Sequence, residues 1–426
     1  MLFLERLQMK KTLMLLAIPF IASAAAKAQA APAATGPSRL GEVPVSGTLR
    51  YDLRYSQIAQ FYGGAQGDAQ SSAVSGDVTY ANASQLRPFS LTYSGGDMWA
   101  ISGSYGESGI FQHLLVSQGV IRRSWSLNLS DNVSYMPQAP TTGFSGIPGV
   151  GSLPSEPSPP IQPILTLNTR SVYNTAGSSF THSLDRATSL SVNGSYTILR
   201  FPDGNGLETD QWQTGSQLTR RLNAHNSLSS QYSFSHFSYP GYAYILETQS
   251  AMFGFTRSWS RRLQTSASAG PQWIMASSIA GIPSSTELSL SANGSYTARS
   301  TTATVSYTQG ATGGAGVPAE VGARNQDVNA VVAQQLGRNM NVSATGAYLR
   351  TRGLQQVNGA SGVVTDSVYG VVSAARRLGR YWNLFVNYTA THQLSSAALP
   401  ANVINGLSQV IGFGISYSPR ELHFRK

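Results

Sequence analysis

The sequence predicts an all-β chain folded as a single closed antiparallel transmembrane β-barrel of about 18 strands, within a range of about 16 to 18. Three observations predict it: a two-residue alternation of apolar and polar side chains, a shortage of charge, and a regular alternation of short and long connections.

The alternation runs through segments of about 10 to 14 residues, the length of a tilted strand that crosses a bilayer. Leu49, Tyr51, Leu53 and Tyr55 share one parity, and Arg50, Asp52 and Arg54 the other. Phe89, Leu91 and Tyr93 stand opposite Ser90, Thr92 and Ser94. Leu263, Ala267, Ala269 and Trp273 repeat the pattern, as do Val342, Ala344, Gly346 and Tyr348. Trp382, Leu384, Val386, Tyr388 and Ala390 face away from Asn383, Asn387, Thr389 and Thr391, and Ile411, Phe413, Ile415 and Tyr417 close the series. No long segment repeats apolar residues at spacings of three and four, so helices are not expected. Asp131 breaks the rule by sharing parity with Leu127, Leu129 and Val133, which predicts a bulge or a misplaced strand boundary there.

Two Asn-Gly pairs, in Ser189 to Thr197 and Ser289 to Thr297, would ordinarily mark tight hairpins. A two-residue hairpin flips apolar parity across the turn. Leu190, Val192, Gly194, Tyr196 and Ile198 keep one parity throughout, as do Leu290, Ala292, Gly294, Tyr296 and Ala298, so each segment is expected to be one unbroken strand.

Short connections carry arginine: Arg122-Arg123, Arg186, Arg220-Arg221, Arg261-Arg262, Arg299, Arg338, and Arg376-Arg377 with Arg380. Longer ones are rich in Gly, Pro, Ser and Asn and fall near 57–71, 137–163, 201–207, 239–245, 276–284, 311–323, 353–362 and 394–407. Short periplasmic turns and longer external loops are what a bacterial barrel shows. The least defined stretches are 95–120 and 164–183, and the Pro-rich stretch from Pro137 to Pro163 is expected to cap the barrel or fold into its lumen.

Composition agrees. Charged residues make up 11% of the 426, against roughly 25% in a soluble domain. A soluble β-sandwich puts Lys, Glu and Asp on its wet face to protect its edges. Here Ser, Thr, Asn and Gln take that place, which suits a lumen in a barrel without edges. Aromatics reach 10%, including 20 Tyr. Tyr93, Tyr135, Tyr196, Tyr232, Phe234, Tyr307, Tyr348, Tyr388 and Tyr417 gather near strand ends, as interfacial girdles do. Mean hydropathy is −0.12, which rules against a bundle of membrane helices. There is no cysteine, hence no disulfide, thiolate or lipidated N-terminal cysteine.

At the N-terminus, Met9-Lys10-Lys11, an apolar run from Leu13 to Ala26 and Ala28-Gln29-Ala30 have the form of a secretory signal peptide. The run is shorter than the roughly 20 residues that span a bilayer as a helix. The expected organisation is a signal peptide over 1–30 cleaved near Ala30, a flexible periplasmic lead over 31–45, a barrel over 46–419 and a tail over 420–426. Removing Arg6, Lys10, Lys11, Lys27 and Glu5, a net +3, takes the formal charge from +10 to +7. The remaining arginines are scattered in ones and twos, which excludes a nucleic-acid patch.

On these segments, over about 46–419, the chain resembles the large porin-like outer-membrane β-barrels of Gram-negative-type bacteria. The resemblance is architectural and no family motif anchors it. Barrels of this kind commonly end on a terminal aromatic, whereas here Phe424 is followed by Arg425 and Lys426. The resemblance implies residence in the outer membrane, with lipid and the barrel-assembly machinery as partners.

Sites of chemistry are sparse. His113, His182, His225, His236, His392 and His423 show no ligand spacing. The glycines of 103–109 and 313–316 do not lie between a strand and a helix, so they are expected to be loop glycines. Gly143-Phe144-Ser145-Gly146 has the wrong spacing for a nucleophile elbow. No cofactor, metal or catalytic residue is expected. Parity instead sends Arg50, Asp52, Arg54, Arg170, Gln211, Gln213, Gln217 and Glu287 toward the lumen. The expected function is a porin-like channel for small hydrophilic solutes or an exported polymer. A non-conducting surface or assembly barrel whose loops bind a polysaccharide or a protein is the alternative, and a hydrolase at the barrel rim a third.

Overall fold

The computed structural model describes residues 47–62, 68–82, 84–103, 108–136, 170–204, 207–242, 244–276, 282–313, 322–354, 362–396 and 405–424. The expected signal peptide, the lead and most of the Pro-rich stretch lie outside them. The strands are β1(Gly47–Tyr62), β2(Ala69–Asn82), β3(Phe89–Ser102), β4(Gly109–Ile121), β5(Trp125–Met136), β6(Ser171–Ser183), β7(Thr188–Arg200), β8(Thr209–Arg221), β9(Asn226–Ser238), β10(Ile245–Ser258), β11(Leu263–Ala276), β12(Ser285–Thr297), β13(Thr301–Thr312), β14(Ala323–Leu336), β15(Met340–Gly353), β16(Val364–Arg377), β17(Trp382–Ser395), β18(Gly406–Tyr417) and β19(Leu422–Phe424). Each of the first 17 pairs antiparallel with the next, and β18 returns to β1 with Leu53 opposite Tyr417 and Tyr55 opposite Ile415. The sheet is therefore one closed barrel. β19 adds a short pairing of Leu422 to Phe424 with Gly47 to Leu49 of β1.

Strands of 12 to 16 residues rise about 40 to 55 Å along their own axes. At a tilt of about 40° they still exceed an apolar belt of about 25 Å. One face carries exposed apolar side chains: Tyr51, Leu53 and Tyr55 on β1, Trp382, Leu384, Val386 and Tyr388 on β17, Ile411, Phe413 and Ile415 on β18. The other face buries Asp52, Ser56, Asn387, Thr389, Ser408 and Ser416. A water-soluble core would reverse these two faces, so the apolar belt has to meet lipid.

The short connections explain why Asn-Gly is not needed as a turn. Asp185 and Asn223 each accept two backbone N–H bonds from the residues two and three positions on, and Ser260 does the same through its hydroxyl. In the turns that begin at Leu184, Leu222, Trp259 and Leu378, the first residue's N–H also donates to the carbonyl four residues later. The Asn-Gly pairs sit inside unbroken β7 and β12, as parity requires. The 95–120 stretch resolves into the end of β3 and nearly all of β4, and the 164–183 stretch supplies β6. β1 runs on to Tyr62, so the connection expected from residue 57 begins later.

The bulge expected at Asp131 is absent. β5 pairs in unbroken register with β4 and β6, with Asp131 opposite Val116 and Ala176. Its side chain therefore shares the apolar face with Leu129 and Val133.

Candidate functional site

Contacts between non-adjacent strands identify the inner face. Phe237 and Tyr239 at the end of β9, Leu246 of β10, Ile274 of β11 and Ala311 of β13 form one buried cluster with Leu207 and Ile282. Ile58, Ala73, Met98, Phe111 and Val410 form a second across β1 to β4 and β18. Side chains on neighbouring and next-neighbouring walls converge only inside a barrel.

Against that reference, Arg50, Asp52 and Arg54 share the face of Ile58 on β1. Arg50 Nε lies 3.3 Å from Asp52 Oδ2. Arg54 is ion-paired with Asp77 of β2, a residue that the sequence did not single out. Asp52 and Asp77 stand directly opposite in register, and like charges so placed repel. One arginine on each compensates. Gln211, Gln213 and Gln217 of β8 lie opposite Phe237, Ser235 and Gln231 and share their face. Gln213 and Gln217 are exposed there, as are Asn193 of β7 and Gln264 of β11, whereas the polar inner-face residues Ser71, Thr351, Thr365 and Gln393 are buried. Open space thus lies along carboxamides of β7, β8 and β11. Arg170 precedes β6 at the long-loop end, where Asp203 accepts from its Nε at 3.0 Å and its Nη2 at 2.8 Å. That carboxylate raises the Arg170 pKa further above an already high value.

Glu287 of β12 leads to a feature that parity alone hides. It is ion-paired with Arg324 of β14, whose Nε donates to Glu287 Oε2 at 2.5 Å. Arg324 stands opposite Ala311 and continues the outer parity of Val328 and Val332, yet its partner lies on the inner face. Ala311 has the parity of the outward Val305 and is nonetheless 7% exposed. The β12–β13 ladder explains both. It ends at Leu290 opposite Gln309, although β12 extends back to Ser285. Beyond Gln309 the end of β13 parts from β12 and lies against the inner face of β11, while β14 stays paired with β15 as far as Ala323 opposite Gly353.

Three groups hold the tip there. Gln272 of β11 accepts from the Ala311 N–H at 2.8 Å and donates to the Ala311 carbonyl at 3.1 Å. The Tyr239 hydroxyl donates to the Gly313 carbonyl. Burial pushes the Tyr239 phenol above the ordinary tyrosine range, so it remains a donor. Gly313 lies against the Phe237 ring with no room for a Cβ, and a Cβ on Gly322, whose φ is +75°, would come within 2.8 Å of Leu246 Cδ2. The glycines of 313–316 were expected to be loop glycines; Gly313 serves a close approach that only tertiary structure reveals.

The described ends of β13 and β14, Ala311 to Gly313 and Gly322, therefore reach from their own wall to β9 and β10 and narrow the inner space at the long-loop end. Among the described residues no group of three or more His, Asp or Glu is placed to hold a metal. The chemistry available is hydrogen bonding by carboxamides and hydroxyls beside paired charges.

A closed barrel of 18 strands with an apolar outer belt and a polar interior is porin-like in architecture. Comparison with protein families and with curated proteins finds no match to this sequence. Among solved structures, Pseudomonas aeruginosa OccK9 (OpdG) is similar with a TM-score of 0.46 at 12% identity over 89% of this chain and 98% of that one. Acinetobacter baumannii OccAB3 gives 0.44 at 10% identity over 88% and 99%. Pseudomonas aeruginosa OccK2 (OpdF) in complex with glucuronate gives 0.45 at 9% identity over 88% and 97%.

Proposed function

We propose that the chain is an outer-membrane channel for passive passage of small hydrophilic solutes. The observation that carries it is the closed 18-strand wall, apolar outside and carboxamide- and hydroxyl-lined inside, because barrels of 16 to 18 strands are wide enough for an aqueous channel. Gln211, Gln213 and Gln217 supply neutral donors and acceptors along the open side, and Arg50, Asp52, Arg54 and Glu287 set the field of the remainder. The inward β13–β14 tip makes the passage narrower than the strand number alone would give. Carboxamides that accept and donate suit polyhydroxylated or otherwise uncharged polar solutes better than strongly charged ones.

The same proposal takes residues 1–30 as the export signal, so the N-terminal residue of mature protein is expected to be Ala31. Refolded protein in planar bilayers is expected to give discrete conductance steps, and proteoliposomes to swell in small sugars faster than in large ones. Folded, heat-modifiable protein that carries no ion current would overturn the channel and leave a non-conducting surface barrel.

A further inference from the structure

Asp131 and Asn174 lie on the outer face, where a lipid-facing wall should carry neither. Asp131 is between Leu129 and Val133 along β5, six residues from Trp125 and four from Tyr135, the aromatics near the two ends of the strand. At about 3.3 Å per residue and a tilt of about 40°, those distances are about 15 and 10 Å along the membrane normal, deep within a belt of about 25 Å. The carboxylate accepts a bond from Asn174 Nδ2 at 2.7 Å and one from the Asn132 backbone N–H. An ionised carboxylate can accept roughly four, and hydrocarbon supplies none.

The surroundings match. Ala176 and Ser178 of β6, Gly194 of β7 and Thr214 of β8 continue the same face, with Ser178, Gly194 and Thr214 in one cross-strand row. On β17 and β18 the corresponding face is Leu384, Val386, Tyr388, Ile411, Phe413 and Ile415. Phe180, Val192, Trp212 and Leu218 keep exposed apolar side chains around this row, as on β17 and β18, but the row itself is small and polar.

We infer that the outer face of β5 to β8 is an interface between two copies of this chain, in which the Asp131 carboxylate of one receives the Ser178 hydroxyl of the other. This rests on the membrane-barrel reading of the outer face. A second copy is the fitting occupant because the patch is self-complementary. It holds an acceptor and, on the adjoining strand, the exposed Ser178 hydroxyl, so an isologous contact supplies each carboxylate with a donor. Alanine and glycine between them let two walls approach closely. Lipid tails offer no donor at that depth.

The absence of cysteine gives a clean test. Single variants Ser178→Cys and, on the far sector, Val386→Cys are oxidised in native outer membranes and the dimer fraction read on gels. Ser178→Cys is expected to cross-link at least about tenfold more than Val386→Cys. Adding Asp131→Leu should lower that fraction by about tenfold, whereas Asp131→Asn, which can still accept hydrogen bonds, should hold it within about twofold. Heat-modifiable migration of each variant establishes that it is folded. Equal cross-linking from the two sectors, or a fraction unmoved by Asp131→Leu in folded protein, overturns the interface. Loss of ion current bears on the channel alone, and cross-linking reads the interface independently of it.

Discussion

Gln272→Leu tests whether the inward tip controls the passage. Leucine nearly fills the glutamine's volume but offers neither of the two bonds that now hold Ala311 at 2.8 and 3.1 Å. A typical hydrogen bond contributes about 0.5 to 1.5 kcal/mol net, so two are worth about 1 to 3 kcal/mol. The tip's N–H and C=O can recover water only if the tip moves away from β11. With RT near 0.59 kcal/mol, the ratio of tucked to released tip should fall by about 5- to 150-fold. Single-channel recording is the assay. The variant is expected to show a larger open-state conductance or frequent transitions to a larger level. Folding free energy should fall by no more than those two bonds contribute, about 1 to 3 kcal/mol, because the strand ladder is untouched. A variant with wild-type conductance and noise, in protein whose Gln272 bonds are gone, would refute the idea that the tip limits the passage.

Arg324→Met leaves Glu287 without its cation inside the barrel, so the reversal potential in a salt gradient should move toward cation selectivity. An unchanged potential places the pair away from the ion path. Phe253→Arg puts a charge at the most exposed of the large outer apolar residues, 74% accessible, and should lower folding free energy in lipid by about 2 to 4 kcal/mol in urea titrations. No loss would mean that this face does not contact hydrocarbon. Asp185, in the turn after β6, is held below the usual carboxylate range chiefly by the Ala187 N–H, then by Thr188. A depressed folded pKa stabilises the fold above the unfolded carboxylate value near 4 and loses that contribution as pH falls through the folded value. Denaturation midpoints should therefore drop between about pH 5 and pH 3, and Asp185→Asn should flatten that drop. An identical slope in the variant would remove the turn from the acid response.

The sequence by itself determined the wall. A strand has a period of two, so the alternation in β1, β17 and β18 states which face is apolar without reference to any partner. The same parity kept Asn193-Gly194 and Asn293-Gly294 within strands against a strong local turn signal. Arginine-bearing short connections and Gly-rich long ones told the two ends of the barrel apart. Even Asp131 was legible as an exception, although neither a bulge nor a strand boundary accounts for it: β5 runs unbroken past it, and it stays on the outer face with Asn174.

Only tertiary structure decided what stands across the lumen. Asp77 meets Arg54 because closure and register put β1 beside β2 in one particular alignment, and a one-residue slip would part them. Arg324 carries outward parity and still reaches Glu287, because β13 parts from β12 after Gln309 and its outward-parity side chains there meet the inner face of the neighbouring strands. Parity fixes a side chain relative to its strand, not the strand relative to the barrel. Where a strand end parts from one neighbour, the pairing of Gln272 with Ala311 and of Tyr239 with Gly313 arises from residues 39 and 74 apart in sequence, and no local pattern encodes such contacts.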